Sequence, residues 1–251
     1  MRKPFALAAV TVLATLSQSG PLRAAEIKVM ASPGVASALD VLGPQFAAAT
    51  GHKVLLDYEV VAVQKRKIEA GAVFDIAILS PEAIDDLVRS DKMIADGRAS
   101  VGRSGMAVGA RKGAPKPDVS TTEAFRRTML NARLVSYSKE GLSGVAFITA
   151  LSRSSILEAM QPRIRAYDTG DSARAVADGE AELIVTALGP LLAAPGLEIV
   201  GVLPAELQTY VHFTAGLSAK AQDPHAAKSF MQFLTAPSAA RVLKEKGLEP
   251  G

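Results

Sequence analysis

The chain has 251 residues, of which 49% are hydrophobic and 21% charged, and it contains no cysteine or tryptophan. It carries 28 Lys and Arg against 25 Asp and Glu, but Arg2, Lys3 and Arg23 precede the first acidic residue, Glu26, so 25 of each sign remain. This balance argues against a nucleic-acid binder, which needs an excess of cations and stacking aromatics. The missing cysteines exclude disulfides and thiolate metal sites.

The amino-terminal segment has the three parts of a secretory signal peptide. Arg2 and Lys3 precede an apolar run at 5–16, and small residues follow it. Residues 1–25 are therefore predicted to be the signal, with the mature chain starting between Gly20 and Glu26. The run is shorter than the roughly 20 apolar residues of a membrane span. We expect a periplasmic protein with no membrane insertion.

Short β-type runs and amphipathic helical runs alternate in the first third of the chain. Two helices are marked at their ends by Gly51 and Gly71, and Ser80 with Pro81 opens a third. Pro44, inside the first helix, predicts a kink or a break. The alternation is typical of a mainly parallel sheet with helices on its faces. The predicted strands are 27–30, 54–58 and 74–79, and the predicted helices are 35–49, 64–70 and one starting at residue 80.

A second series of strands and helices follows a glycine-rich segment at 98–112. A capping box at 120–123 opens its first helix, and the last strand is predicted at 210–217. If that strand returns to the first series, two connections near 100–110 and 210–216 join two lobes around a hinged cleft. The other predicted elements are strands 133–137, 163–168 and 182–187, helices starting at 144 and 172, and helices 226–234 and 238–245.

Four segments resemble the periplasmic molybdate-binding-protein family, which are class II solute-binding proteins of ABC importers. The most specific part of the resemblance is IEAGAVFDIAILSP at 68–81, where a helix end, a turn and a buried strand follow in the family's order. The segments are 27–54, 65–88, 179–188 and 226–251.

The resemblance implies an α/β fold of two lobes, each a mainly parallel sheet flanked by helices, joined by two hinge connections. Lobe I would comprise 26–105 plus 213–251, and lobe II 106–212. It also implies that the lobes close on a small anion held by serine hydroxyls and backbone N–H groups at helix starts. A membrane ABC permease would be a transient partner, and we expect a monomer without cofactor.

The sequence departs from this family where the anion is bound. The family's first binding serine aligns with Gly34, two residues after Ser32, and its serine run before the second helix aligns with the apolar 60–63. The tyrosine that covers the anion aligns near Ala187, with Thr186 as the closest hydroxyl. Each oxygen buried without a partner costs about 1–3 kcal/mol. We therefore predict an organic carboxylate in preference to molybdate.

Ligand contacts are expected in the loops beyond the carboxyl ends of the strands. Ser143 lies before a helix in a glycine-rich loop, although an ordinary helix cap would look the same. With Ile68 facing the core, a turn of about 100° per residue points Lys65 toward the cleft and Arg66 away from it; the alternative is a surface lysine. The predicted binding residues are Ser32, Gly34, Val61, Ala62, Lys65, Ser143, Thr169 and Thr186.

Three function classes stay open. The first is a solute-binding protein that captures a small carboxylate or oxyanion for an ABC importer, and the second is an isomerase of the aconitate isomerase type on the same fold. Isomerisation needs a positioned base, which Lys65, Glu59 or Glu140 could supply, but spacing singles out none of them. The third is a sensor that binds ligand without transport. No histidine has a second ligand at metal-binding spacing, so no metal is expected.

Overall fold

A computed structural model describes residues 24–168 and 170–251. The predicted signal peptide at 1–25 lies almost wholly outside these residues. The strands are β1 Glu26–Ala31, β2 Lys53–Tyr58, β3 Ile76–Leu79, β4 Met93–Arg111, β5 Val135–Ser138, β6 Ile164–Tyr167, β7 Leu183–Ala187, β8 Leu197–Val202, β9 Tyr210–Ser218 and β10 Glu249–Pro250.

Most helices follow a strand directly, as expected for an α/β chain. Two short 3-10 turns, Pro33–Val35 and Gln161–Arg163, precede α1 and β6. The α-helices are α1 Ala36–Thr50, α2 Val61–Glu69, α3 Pro81–Arg89, α4 Thr122–Asn131, α5 Leu142–Arg153, α6 Leu157–Met160, α7 Asp171–Ala177, α8 Leu188–Ala193, α9 Pro224–Thr235 and α10 Pro237–Glu245.

The strands pair in the order β2-β1-β3-β9-β4-β7-β5-β6. β1 is parallel to β2 and β3, and β5 is parallel to β6 and β7. β9 and β4 run antiparallel to their neighbours and lie in the middle. The sheet is thus mixed, with a parallel section on each side of two long antiparallel strands.

β4 joins the two parallel sections. Its residues 93–105 pair with β9, whereas its residues 106–111 pair with β7 and β8. We call β1, β2, β3, β9 and the start of β4 the first strand group, and the end of β4 with β5 to β8 the second strand group. The chain end returns to the first group, where β10 pairs with Gly102 and Arg103.

One local feature differs from the sequence-based expectations, and a second explains the glycines of β4. α1 continues through Pro44, so the predicted break is wrong; Leu42 and Phe46, on either side of the proline, are buried and hold the helix against the core. The glycine-rich segment at 98–112 forms most of β4. Its glycines serve close packing, since a Cβ atom at Gly109 would lie 2.4 Å from Leu191 Cδ1.

Hydrophobic packing holds both groups together. One large buried cluster contains Leu39 and Phe46 of α1, Phe147 of α5 and Phe230 of α9. Smaller clusters lie under α3 and under the pair α7 and α8. None of the helices within 24–168 and 170–251 is long and apolar enough to cross a bilayer.

Candidate functional site

A cavity of about 580 Å³ opens where helices of both strand groups begin. The first group contributes the turn after β1, the start of α2 and the start of β9. The second group contributes the loop between β5 and α5, much of α7, and the end of β7 with α8. This volume is typical of small-molecule pockets, which span about 300–1,000 Å³.

The structure brings most of the predicted binding residues to this cavity. Ser32, Gly34, Val61, Ser143 and Thr186 all line it, although they come from distant parts of the sequence. Contact with a ligand stays a prediction for each of them. Thr169 lies outside the described residues.

Ala62 and Lys65 do not belong to the lining. The predicted orientation of Lys65 is wrong: its ammonium Nζ lies 3.0 Å from Asp86 Oδ2 and 3.3 Å from Glu69 Oε1. The hydrogen bond to Asp86, and after it the one to Glu69, raises the pKa of Lys65. The helical position of the Cα atom does not fix where the ammonium lies, because the four-carbon side chain is flexible enough to reach these carboxylates.

Two of the longer helices, α2 and α5, begin at the cavity without a side-chain cap, as do the short helices α7 and α8. The residue before α2 is Val60 and the residue before α5 is Gly141, and neither supplies a side-chain acceptor to its helix. The first N–H groups of a helix have no partner inside it. The N–H groups of Val61, Ala62, Leu142 and Ser143 are therefore available at the two helix starts.

Three helices that begin elsewhere, α3, α4 and α9, are capped by a side chain, whereas α1, α6 and α10 are not. Ser80 accepts from the amide of Ala83 at the start of α3. Thr121 does the same for α4 and Asp223 for α9. What distinguishes α2 and α5 from α1, α6 and α10 is that their uncapped positive ends lie at the cavity, where they suit an external anion.

Five of the described serine and threonine residues line the cavity, among them the predicted Ser32, Ser143 and Thr186. Ser143 Oγ accepts from Thr186 Oγ1 at 3.3 Å, and Ser32 Oγ accepts from the amide of Gly34 at 3.4 Å. Each serine oxygen therefore already has a protein donor, and its own O–H is left to donate. Ser32, Ser143 and Thr186 are at most 9% exposed, so a ligand here would be largely shielded from water.

Close backbone packing shapes the loop before α5. A Cβ atom at Gly144 would lie 2.0 Å from the carbonyl oxygen of Ser138, and one at Gly141 would lie 2.6 Å from Ser138 Oγ. The Ser138 hydroxyl accepts from the amide of Gly141 at 3.2 Å. Both glycines are needed for the tight turn that directs the start of α5 at the cavity.

The charge of the cavity wall is low. Among the described lining residues, Arg174 is the one with an ionisable side chain. Its guanidinium is mostly exposed and lies 3.1 Å from Asp171. The lining that the structure describes thus lacks a carboxylate, a lysine or a histidine. Likewise, 24–168 and 170–251 contain no group of three His, Asp or Glu side chains placed to hold a metal ion.

Sequence reasoning missed the apolar residues and the cation of the wall. Phe213 and Val211 of β9 line the cavity, as do Leu142 and Arg174. The returning strand was predicted, and the alternation along it places Val211 and Phe213 on the same face. That face could have been connected to the cleft, whereas nothing in the sequence distinguishes Arg174 from other surface arginines.

Comparison with known proteins identifies the family. Residues 27–249 match the family model for bacterial extracellular solute-binding proteins. The chain belongs to this family. The match spans both strand groups and every cavity-lining segment.

Three similar proteins illustrate what the family contains. An aconitate isomerase of Pseudomonas sp is 30% identical over 251 residues, covering 94% of each chain. The periplasmic molybdate-binding protein of Azotobacter vinelandii has a TM-score of 0.77 at 20% identity, over 90% of this chain and 99% of that one. PEB3 of Campylobacter jejuni, solved with bound L-phospholactate, has a TM-score of 0.70 at 16% identity, over 90% and 100%. The last two show the fold that this solute-binding protein shares, as its resemblance to molybdate-binding proteins predicted.

Proposed function

We propose that this solute-binding protein captures a small organic carboxylate in the periplasm and presents it to a membrane ABC importer. The observation that carries the proposal is the convergence of two uncapped helix starts, those of α2 and α5, on one cavity. Each start carries a partial positive charge and free N–H donors, which suit an anion without a full counter-charge. The hydroxyls of Ser32 and Ser143 add directed donors to the same site.

A carboxylate fits this donor set better than a tetrahedral oxyanion. It has two oxygens on one side and carbon on the other, so it needs donors from only part of the wall. Val60 and Val61 offer methyl groups at the start of α2, and Phe213 lies beside Gly34. Oxygens facing these groups would lose hydrogen bonds at about 1–3 kcal/mol each. The L-phospholactate bound to PEB3 is consistent with an organic anion in this fold.

The mechanism is closure of two lobes around the ligand. Lobe I comprises 26–105 plus 213–251 and lobe II 106–212, so β4 and the start of β9 lie at the connections. Ser32 and Val61 come from one lobe and Ser143 and Thr186 from the other. A ligand that contacts both sides has more contacts when the lobes are closed and therefore shifts the population toward that state. The permease would dock on the rims of the closed form.

An isomerase is the second candidate, and similarity to the aconitate isomerase of Pseudomonas sp favours it. Proton transfer between carbon atoms needs a base within hydrogen-bond reach of the substrate. Glu59, Lys65 and Glu140 are not among the lining residues, and the described wall offers no other carboxylate, lysine or histidine. This geometry supports binding over turnover.

One pair of measurements separates the candidates. The purified chain starting at Glu26 is titrated by calorimetry with acetate, butanoate, citrate, sulfate and molybdate, and cis- and trans-aconitate are followed by ultraviolet absorbance. Saturable binding of a carboxylate without isomerisation is the expected result. Tight molybdate binding with no carboxylate binding would overturn the carboxylate assignment. Aconitate turnover would replace the receptor with the isomerase.

A further inference from the structure

The cavity continues beyond the helix starts into a groove between α7 and α8. Ala173 and Ala177 are four residues apart on α7 and so lie on one face of it. Leu191 and Ala194 line the opposite side, and Ile184 of β7 also belongs to the wall. We call these five residues the apolar arm. Its side chains are all hydrocarbon, unlike the hydroxyl-bearing part of the cavity.

The arm is open because its residues are small or drawn back toward the sheet. Three of them are alanines. Leu191 is only 2% exposed, and its Cδ1 occupies the space above Gly109, where a Cβ atom would come within 2.4 Å. Leu191 and Ile184 share one buried cluster with α7. The groove therefore has a packed apolar floor.

A polar ligand group would be poorly satisfied in the arm. None of its five side chains carries a donor or acceptor, and the adjoining lining residues Pro190 and Pro195 have no backbone N–H. Burying an unpaired polar group is unfavourable, whereas burying hydrocarbon is favourable. The arm therefore favours a hydrocarbon group of the ligand over a group that carries oxygen.

The charge of the site limits the number of carboxylates. Within the lining that the structure describes, Arg174 is the one cationic side chain, and it is shared with Asp171. The uncapped helix starts supply partial charges only. This set suits a single carboxylate better than the three negative charges of a tricarboxylate.

We propose that the ligand is an amphipathic monocarboxylate, with its carboxylate at the starts of α2 and α5 and an alkyl or aryl chain in the apolar arm. The proposal rests on the proposed function, because it places the hydrocarbon part of a ligand whose carboxylate is held at the two helix starts. It predicts that affinity rises with the hydrocarbon length of the ligand.

Calorimetric titration with acetate, butanoate, hexanoate and 3-phenylpropanoate tests the proposal. Each methylene added within the arm is expected to lower Kd about fourfold. Citrate and cis-aconitate are expected to bind more weakly than hexanoate. Carboxylate binding with no dependence on chain length would overturn the proposal and leave the proposed function standing, whereas no binding of any carboxylate would overturn both.

Filling the arm gives an independent test. Ala177→Phe is expected to weaken hexanoate binding at least tenfold and to leave acetate binding within about twofold. Leu192→Phe is the control, because Leu192 lies on α8 next to the arm residue Leu191 but is 47% exposed and is absent from the lining. If Ala177→Phe does not fold, as judged by thermal unfolding without ligand, Ala194→Leu replaces it. Unchanged hexanoate binding in the folded variant would contradict the assignment of the arm.

Discussion

The ring of Phe213 occupies the space that a side chain at residue 34 would need. A Cβ atom built on Gly34 would lie 2.3 Å from Cζ of Phe213, far inside van der Waals contact. Phe213 is only 1% exposed, so the ring is held within the core at the edge of the cavity. The resemblance to molybdate-binding proteins implies a binding serine at residue 34, but here glycine stands there and the ring of Phe213 takes up the space.

Gly34→Ser is expected to destabilise the protein because the ring must move. Overpacking of this kind costs about 1–3 kcal/mol in free energy of unfolding, measured by urea denaturation. Phe213→Leu should relieve part of the clash, so the double variant is expected to show favourable coupling of about 1 kcal/mol or more. Additive losses in the cycle would show that the two residues do not compete for this space.

Gly43→Ala is the matched control for this experiment. Its Cβ atom would meet its nearest neighbour, Leu56 Cδ1, at an ordinary 3.7 Å. Since alanine also has the higher helix propensity, we expect no loss of stability. If Gly43→Ala lost as much stability as Gly34→Ser, the loss would come from adding any side chain at a glycine and not from a clash with the Phe213 ring.

Val60→Thr is expected to stabilise the protein and to lower its affinity for the ligand. Val60 has extended backbone angles before α2, so a hydroxyl there can accept from the first free N–H groups of the helix. A cap of this type adds about 0.5–2 kcal/mol to stability. The same donors are then no longer free for a carboxylate, and the Kd for butanoate should rise about tenfold. Thermal unfolding and calorimetry on one sample measure both effects.

Thr121→Val is the reverse exchange at a helix far from the cavity. It removes the acceptor for the amide of Ala124 at the start of α4. Stability should fall by about 1 kcal/mol, while butanoate affinity stays unchanged. If both variants lost butanoate affinity equally, ligand binding would not depend on the free N–H groups at the start of α2.

Ser143→Ala and Thr186→Val are expected to weaken ligand binding non-additively. Thr186 donates to Ser143, and Ser143 retains the proton that can reach an anion. Loss of one hydrogen bond to a charged group costs about 1.5–3 kcal/mol, or roughly 10- to 150-fold in Kd. The double variant should lose little more than Ser143→Ala alone. Thr149→Ala, on the exposed side of α5, is the control and should bind normally.

Lys65→Met is expected to leave ligand affinity unchanged. The ammonium is engaged by Asp86 and Glu69 outside the cavity lining. Calorimetric titration with butanoate checks this directly. A tenfold loss of affinity in the folded variant would show that Lys65 does face the cleft, as the helical rotation of α2 predicted.

Tyr58→Phe should alter how stability depends on alkaline pH. Burial, and after it the hydrogen bond to Asp40 and that residue's negative charge, raises the pKa of Tyr58. Because the folded pKa lies above the unfolded value of about 10, this contribution is complete below pH about 10 and is lost as the pH rises through the folded pKa. Urea midpoints measured upward from pH about 9 should fall less steeply in Tyr58→Phe. Parallel profiles would contradict the role of this phenol.

The order of elements could be predicted because local signals mark it. Ser80 before α3 and Gly51 after α1 perform the capping roles expected of them. The alternation of strands and helices also fixes which loops reach the carboxyl ends of the parallel strands. For this reason five of the eight predicted binding residues line the cavity.

The remaining features depend on contacts between distant segments. The salt bridge between Lys65 and Asp86 requires α3 to lie beside α2, and the ring of Phe213 reaches Gly34 across 179 positions of sequence. No periodicity reports either contact. The apolar arm likewise depends on the relative placement of α7 and α8 and on the packing of Leu191 against Gly109. Such features emerge only once the strands are assembled in order.

Amide chemical shifts test the central claim most directly. The protein is titrated with hexanoate and followed by two-dimensional nitrogen–proton NMR. We predict the largest shifts at the amides of Val61, Leu142 and Ser143, where the starts of α2 and α5 would donate to the carboxylate. Saturable binding with shifts confined to other surfaces would contradict it.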